Sequence, residues 1–283
     1  MTDRPGRVEP AHRASGGEPL HRRVVPAVGD LQGRVLFVHG FAEHAARYGA
    51  FAEALAARGV EVHLLDLPGH GESPGVRALI DDVERVASDV AALACTLAND
   101  GSVPVGLVGH SLGGATVLRA AQLDEGCVRA VATTGPYLQS ALEDPAWLLS
   151  LASGLSRVFP TLRSKPIDAG AVSNEPHEVA AYDRDPLVDR GGVRLASIRE
   201  LHAIGPRVLT EAARLTVPTL VMQGDADALS DPQGARALAK ANAQVDVRIV
   251  AGGAHDLLHD TDRSNTTHAM LTHFVEHGVA QPV

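Results

Sequence analysis

Residues 103–114 read VPVGLVGHSLGG, and this stretch decides how the rest of the sequence is interpreted. It starts with an apolar run, Val103–Val108, which is typical of a buried strand, and it continues into a run, Leu112–Leu123, that predicts a helix. Between the two stands Gly109-His110-Ser111-Leu112-Gly113, a G-x-S-x-G motif. A serine on such a tight strand-to-helix turn is presented above the sheet, because the flanking glycines leave room for the backbone. The motif therefore predicts Ser111 as a nucleophile.

Composition favours one large globular domain and argues against nucleic-acid binding. The chain has 283 residues and is 45% hydrophobic, which is enough to bury a sizeable core. Its formal net charge is −9 and aromatic residues make up only 3%. A nucleic-acid surface needs clustered basic residues or stacking rings, so we expect no nucleic-acid partner.

Short β-branched runs alternate with Ala- and Leu-rich runs along most of the chain. This alternation predicts an α/β fold, a mostly parallel sheet flanked by helices. The predicted strands are His21–Val28, Arg34–Val38, Val60–Asp66, Val103–Val108, Val128–Thr133, Thr219–Gln223 and Val245–Val250. The predicted helices are Tyr48–Arg58, Ile80–Asn99, Leu112–Leu123, Pro232–Ala241 and Ser264–His277.

Two regions depart from this alternation. Residues 1–19 carry charge, Gly and Pro without an apolar run, so we expect them to be disordered and residues 20–283 to form the domain. Residues 139–212 contain helix-like pieces such as Pro145–Val158 that prolines interrupt, and they are predicted to form a helical lid. Such an insertion is best placed above the carboxyl ends of the strands, where open α/β sheets bind ligands. Its apolar side chains predict an acyl-binding or membrane-touching surface, or else packing of the lid onto the core: Trp147, Leu148, Leu149, Leu151, Leu155, Val158 and Phe159.

A serine nucleophile needs a histidine base and an orienting carboxylate, in the chain order Ser, acid, His. His255 follows the last predicted strand and is the candidate base. The acid is expected on the loop after Thr219–Gln223, where Asp225 and Asp227 both fit. Spacing alone does not choose between them.

An oxyanion hole needs two backbone donors beside the nucleophile. The N–H of Leu112, directly after Ser111, is one candidate. The other is the N–H of Phe41, on the loop after Arg34–Val38, where Gly40 lets the chain turn closely past the site.

Several motifs in this order resemble those of the monoacylglycerol lipase and lysophospholipase-like α/β-hydrolases, nearly throughout the chain from His39. Beside the G-x-S-x-G motif they are His39-Gly40-Phe41-Ala42-Glu43-His44-Ala45-Ala46-Arg47-Tyr48, Asp66-Leu67-Pro68-Gly69-His70-Gly71-Glu72-Ser73, Tyr182-Asp183-Arg184-Asp185-Pro186-Leu187, Gly224-Asp225-Ala226-Asp227 and Gly253-Ala254-His255. The resemblance implies an α/β-hydrolase fold and selects Asp227 as the acid.

The resemblance also implies that four residues line the alcohol end of the site: Glu43, Arg47, His110 and Tyr182. The alternative for Glu43 and Arg47 is a local ion pair that only holds their loop. Two positions depart from the family, since Phe41 is bulkier than the usual residue and Ala228 replaces a basic one. Both bear on the preference for the leaving group.

The predicted partners are a small-molecule ester or lipid substrate and, through the lid, a transient contact with a membrane surface. Cys95 and Cys127 are far apart in sequence, so we expect buried free thiols. The motif His273-Phe274-Val275-Glu276-His277 fits a zinc-protease pattern, but it ends the final helix without a third ligand, so no metal and no cofactor are expected. Without a signal peptide or an apolar span, a cytoplasmic protein is predicted.

Four functions remain open on this evidence. The first is a carboxylic-ester hydrolase that acts on a monoacylglycerol, lysophospholipid or smaller ester through an acyl-enzyme. The second uses the same acyl-enzyme as an acyltransferase, thioesterase, cyclase or peptidase. The third is a cofactor-free haloperoxidase or perhydrolase, and the fourth is a binding protein without catalysis.

Overall fold

Eight strands organise the described part of the chain, which in this computed structural model comprises residues 7–13, 19–99, 101–142, 151 and 153–282. They are β1 (Arg7–Arg13), β2 (Pro19–Val25), β3 (Gly33–Val38), β4 (Val60–Leu65), β5 (Val105–His110), β6 (Val128–Thr134), β7 (Thr219–Gly224) and β8 (Val245–Val250). They form one sheet in the order β1-β2-β4-β3-β5-β6-β7-β8. The neighbouring strands of the segment β4-β3-β5-β6-β7-β8 are all parallel, whereas β2 runs antiparallel to both of its neighbours, β1 and β4. The prediction of an α/β fold with a mostly parallel sheet is confirmed.

Helices cover both faces of this sheet. They are α1 (Gly49–Ala56), α2 (Val83–Ala98), α3 (Leu112–Leu123), α4 (Pro176–Arg184), α5 (Leu195–Thr210), α6 (Pro232–Ala241) and α7 (Arg263–Glu276). Alternate residues of β3 enter two separate cores, because successive side chains of a strand point to opposite faces. Leu36 and Val38 share a core with α2, α3, α5 and α6, while Val35 and Phe37 share one with α1 and α7.

The seven predicted strands and five predicted helices are all present, with ends that differ by about three residues at most. One shift matters for the site. The strand before Ser111 is β5, which ends at His110 and not at Val108. It is buried along its whole length, as expected for a central parallel strand.

Residues 7–13 differ from the expected disorder, since they form the edge strand β1. The register of β1 against β2 shifts between Glu9 and His12. Pro10 lies within this irregularity, and proline has no N–H to donate to a ladder. Backbone pairing with β2 therefore forms a strand where the side-chain pattern carries no strand signal.

The predicted insertion, residues 139–212, contains two different parts. Its last part is α5, which runs between β6 and β7 and contributes Ile204 and Val208 to the main core. Two parallel neighbouring strands need such a crossover, because the chain must return from the carboxyl end of the first strand to the level of its amino end before the second strand begins. The lid role of the earlier part remains a prediction, and residues 143–150 and 152, with Trp147, Leu148 and Leu149, lie outside the described residues.

Cys95 and Cys127 form a disulfide, so the prediction of free thiols is wrong. Cys95 lies in the last turn of α2 and Cys127 directly precedes β6. The fold brings these two ends together although they are 32 residues apart in sequence. Because disulfides are rare in reducing compartments, this bond weighs against the cytoplasmic prediction.

No helix in the described part of the chain is long and apolar enough to cross a membrane.

Candidate active site

Ser111 lies at the junction of β5 and α3 with a backbone conformation that residues with a side chain rarely adopt. Its φ is 53° and its ψ is −119°. The turn is tight enough that a Cβ on Gly109 would lie 2.3 Å from the Gly113 carbonyl oxygen. A Cβ on Gly113 would lie 2.1 Å from the carbonyl oxygen of Val38. The two glycines of the motif are therefore sterically required beside the strained serine.

Three predicted residues meet in one hydrogen-bonded row. His255 Nε2 lies 2.8 Å from Ser111 Oγ, and His255 Nδ1 lies 2.8 Å from Asp227 Oδ2. All three side chains are buried. They follow the carboxyl ends of β5, β7 and β8, which a parallel sheet places at one edge.

The structure distinguishes the two candidate acids. Asp227 contacts His255, and it also accepts N–H bonds from Leu229 and Ser230 at 2.9 Å each. Asp225 instead accepts from the Gly252 N–H at 2.6 Å, on the exposed side of the loop. Asp227 is thus the carboxylate that contacts the imidazole, and Asp225 stabilises the loop that carries His255.

His255 and Asp227 shift each other's pKa. Burial alone would lower the pKa of His255, but the adjacent Asp227 carboxylate outweighs burial and raises it. Burial alone would raise the pKa of Asp227, but His255 and the N–H donors of its loop lower it. The pair therefore favours an imidazolium beside a carboxylate, the charge state that follows removal of a serine proton.

The loop with the predicted oxyanion donor is held by side chains that bond the backbone on both sides of Gly40. Glu43 Oε1 accepts from Gly40 N–H at 2.7 Å, and His39 Nδ1 lies 2.7 Å from the Gly40 carbonyl oxygen. His39 Nε2 accepts from Leu67 N–H, so its proton is on Nδ1 and is donated to Gly40. The Gly40 carbonyl and the Phe41 N–H belong to the same planar peptide. His39 thereby sets the direction of the Phe41 N–H.

Gly40 brings this peptide close to the nucleophile. A Cβ on Gly40 would lie 3.2 Å from Ser111 Cβ. The second predicted donor, the Leu112 N–H, belongs to the first turn of α3, where backbone N–H groups have no acceptor within the helix. Gly40 and the Leu112 N–H thus lie next to Ser111, where the helix dipole favours negative charge, and the assignment of the two donors stays a prediction.

Glu43 and Arg47 form a buried ion pair. Arg47 Nε donates to Glu43 Oε2 at 2.9 Å, and Tyr48 Oη donates to Glu43 Oε1 at 2.7 Å. Burial alone would raise the pKa of Glu43, but Arg47 lowers it. The loop-holding alternative for Glu43 and Arg47 thus has direct geometric support, and their contact with a substrate stays a prediction.

The sequence analysis did not predict Asp256, a second buried carboxylate beside Arg47 and Tyr48. Asp256 Oδ2 lies 3.2 Å from Tyr48 Oη and 2.8 Å from His259 Nδ1. It also lies 3.7 Å from Arg47 Nη2. Burial alone would raise the pKa of Asp256, but His259, His110 and Arg47 lower it. Its position directly after His255 was the one available signal.

His110 and Tyr182 border this network. The His110 ring centroid lies 4.8 Å from that of His255, and His110 Nδ1 lies 3.1 Å from the Thr134 carbonyl oxygen. Burial lowers the pKa of His110. Arg47 Cζ lies 4.8 Å from the centre of the Tyr182 ring, a cation–π contact. Of the four residues predicted to line the alcohol end, His110 therefore lies beside His255, while Arg47 joins Glu43 to Tyr182.

Two groups of described residues bring three potential metal ligands together, and neither includes a residue of the site. One is Cys95, Asp124 and Cys127, whose sulfurs are joined in the disulfide. The other is His21, Asp66 and Glu72, in which each imidazole nitrogen contacts a carboxylate.

The parallel sheet, the strained serine at a strand–helix turn and the Ser–His–Asp row define the class of protein. The chain has the α/β-hydrolase fold. Within this class it belongs to the family described as serine aminopeptidase, S33, whose profile matches residues 29–262.

Relatives place the chain among lipase- and esterase-like members of this class. It is 33% identical to a monoacylglycerol lipase of Mycolicibacterium smegmatis, over 88% of this chain and 90% of that one. It is 32% identical to the human monoglyceride lipase, over 86% of this chain and 81% of that one. The crystal structure of a Paleococcus ferrophilus monoacylglycerol lipase matches with a TM-score of 0.83 at 29% identity, over 91% of this chain and 99% of that chain.

Proposed function

We propose that the protein is a serine carboxylic-ester hydrolase that cleaves monoacylglycerols or similar lipid monoesters through an acyl-enzyme. The observation that carries the proposal is the continuous row from Ser111 Oγ through His255 to Asp227, with both hydrogen bonds at 2.8 Å. A serine hydroxyl becomes a nucleophile only when a base takes its proton, and this row supplies the base and its orienting acid.

In the acylation step, His255 Nε2 takes the proton of Ser111 as Oγ attacks the ester carbonyl carbon. Negative charge develops on the carbonyl oxygen, where the N–H groups of Phe41 and Leu112 stabilise it. Asp227 stabilises the imidazolium. The bond to the alcohol oxygen then breaks, His255 returns its proton to that oxygen, and the acyl group stays on Ser111.

Deacylation repeats these roles with water in place of the serine. His255 takes a proton from water, the resulting hydroxide attacks the acyl carbon, and Ser111 leaves with the proton. The products are a carboxylic acid and free Ser111, so the reaction needs no cofactor.

Two observations favour a lipid monoester over other acyl donors. Two relatives, at 33% and 32% identity, carry the names monoacylglycerol lipase and monoglyceride lipase. In addition, apolar side chains in the region of the predicted lid are exposed, which suits contact with a lipid surface. Those that the structure describes are Leu142, Leu151, Leu155, Val158, Phe159 and Leu162.

Labelling with a fluorophosphonate probe tests the nucleophile. We expect wild type to be labelled at Ser111 and the Ser111→Ala and His255→Ala variants to lose labelling. The matched control is Ser264→Ala, an exposed serine in α7, which should label like wild type. Folded but unlabelled wild type would overturn the hydrolase proposal and leave the binding-protein alternative.

A substrate panel tests the acyl donor and acceptor. We expect monoolein and long-chain p-nitrophenyl esters to be cleaved with higher kcat/KM than acetate or butyrate esters, thioesters and aminoacyl amides. Faster cleavage of thioesters or amides would favour the thioesterase or peptidase alternative. Transfer of the acyl group to an added alcohol in preference to water would favour an acyltransferase.

A further inference from the structure

The loop of the predicted oxyanion donor is held from outside by the turn 185–189, which directly follows α4. Ala42, next to Phe41, has a φ of 65°, in the left-handed region that residues other than glycine disfavour. Its carbonyl oxygen accepts from the Asp189 N–H at 2.8 Å. A backbone in this region persists where its surroundings constrain it, and the Asp189 bond is such a constraint.

A second contact joins the same loop to the same turn. His44 Nε2 lies 2.9 Å from Asp185 Oδ2, and the His44 side chain is almost fully buried. A carboxylate only accepts hydrogen bonds, so His44 Nε2 donates to Asp185. The other oxygen of Asp185 accepts from the Leu187 N–H at 2.8 Å, which fixes the shape of the turn.

The turn is anchored independently of the loop. Both carboxylate oxygens of Asp189 accept from Arg163 at 2.8 Å, in a bidentate pair. Arg163 also donates to the Gly192 carbonyl, and Arg77 donates to the Leu187 carbonyl. The turn 185–189 is therefore held by bonds of its own, to which the contacts with Ala42 and His44 are added.

The loop thus receives its constraints from two directions. His39 and Glu43 hold the backbone of Gly40 from within the core, while the turn 185–189 holds Ala42 and His44 from the region of the predicted lid. Phe41 lies between these two sets of contacts. A shift of the turn 185–189 would move Ala42 and His44, the residues that follow Phe41 and are bonded to the turn.

We propose that Asp185 and His44 are positioning residues that keep the Phe41 N–H in place for the oxyanion, so that the oxyanion hole is complete only when the turn 185–189 is seated. This proposal rests on the proposed function, since it assigns a role within the same acyl-transfer site. Neither residue touches the substrate, and both act through the loop.

Substitutions from both sides of the pair test it. Asp185→Ala and His44→Ala should each lower kcat about 10–100-fold with KM changed less than threefold, because a misplaced oxyanion donor weakens transition-state binding alone. Asp185→Asn should retain more activity than Asp185→Ala, since its one amide oxygen can still accept from either His44 or Leu187. The double variant should be no worse than either single one, because the two residues act as a unit. Asp183→Ala is the matched control, a carboxylate of the same segment whose side chain is 64% exposed.

A boronic-acid inhibitor, which forms a tetrahedral adduct on the serine, separates positioning from general loss of structure. Its Ki should rise in Asp185→Ala by the same factor as kcat/KM falls, while the Ki of an unreactive substrate-like ether stays unchanged. Folded Asp185→Ala and His44→Ala variants with kcat within twofold of wild type would overturn the proposal, as would equal losses in Asp183→Ala. An inactive, unlabelled wild type would overturn the proposed function instead, so the two failures are distinct.

Discussion

Asp227 holds His255 with one carboxylate oxygen and its own loop with the other. Oδ2 lies 2.8 Å from His255 Nδ1, and Oδ1 accepts from the N–H groups of Leu229 and Ser230 at 2.9 Å each. Gln223 Nε2 also donates to Oδ2 at 2.8 Å. With these bonds the carboxylate cannot turn away from the imidazole without leaving buried N–H donors unpaired.

We expect Asp227→Asn to lower kcat by about 10³–10⁴-fold, because an amide nitrogen facing Nδ1 favours the wrong tautomer of His255. Steady-state hydrolysis of a p-nitrophenyl ester measures the effect. Asp225→Asn is the control and should stay within threefold of wild type, since Asp225 bonds Gly252 on the exposed side of the loop. A larger loss in Asp225→Asn than in Asp227→Asn would contradict the assignment of the acid.

The pH dependence of hydrolysis should report the protonation of His255. Asp227 raises the pKa of His255 above its ordinary value of 6.5, and a protonated imidazole cannot accept the serine proton. We therefore expect kcat/KM to fall as the pH decreases, with a midpoint above 6.5. In Asp227→Asn the midpoint should move to lower pH. A wild-type midpoint below 6.5 would mean that burial outweighs the carboxylate.

His273 should contribute to loss of stability in acid. Burial lowers its pKa from 6.5 to about 4, so the folded protein keeps it neutral while the unfolded chain takes up a proton. Its contribution is present above pH 6.5 and is lost as the pH falls from 6.5 towards 4, at about 1.4 kcal/mol per pH unit. Between pH 6.5 and pH 5, wild type should lose about 2 kcal/mol more unfolding free energy than His273→Gln, as measured with urea.

His268 provides the control for this experiment, because it is exposed on the same helix, α7. His268→Gln should lose unfolding free energy between the two pH values as wild type does. If His273→Gln behaves like His268→Gln, His273 is not held neutral by the fold.

The disulfide should stabilise the fold by constraining the unfolded chain. Its two cysteines are 32 residues apart, a separation for which loop-closure entropy gives about 3–4 kcal/mol. We expect the Cys95→Ser, Cys127→Ser double variant to lose about this much unfolding free energy in guanidinium titrations. A reductant should destabilise wild type alone. Two reactive thiols in unreduced, unfolded wild type would show that the bond does not form.

The strand-to-helix turn that carries Ser111 could be predicted from the sequence because all of its determinants are local. A strand, two glycines and a helix within residues 103–123 specify the turn around Ser111, and no distant contact is needed to define it. His255 could be placed for the same reason, since it follows the last strand. Spacing alone could place the acid only on a loop, because its partner is 28 residues away and two carboxylates were suitable, and the choice of Asp227 came from the family resemblance.

The features that could not be predicted all depend on long-range contacts. Asp256 carries no pattern of its own, and its role appears only when Tyr48, 208 residues away, is folded against it. The cysteine pair depends on the end of α2 meeting the start of β6. The strand β1 depends on backbone pairing with β2, which side-chain periodicity does not encode.

The disulfide also has a mechanical consequence. The loop that it closes contains β5, Ser111 and the whole of α3. A molecule stretched from its two ends would transmit force through the Cys95–Cys127 bond and around this loop. The 32-residue separation corresponds to about 110 Å of extended chain. This length could not contribute to the end-to-end distance of the stretched molecule until a reductant cleaved the bond.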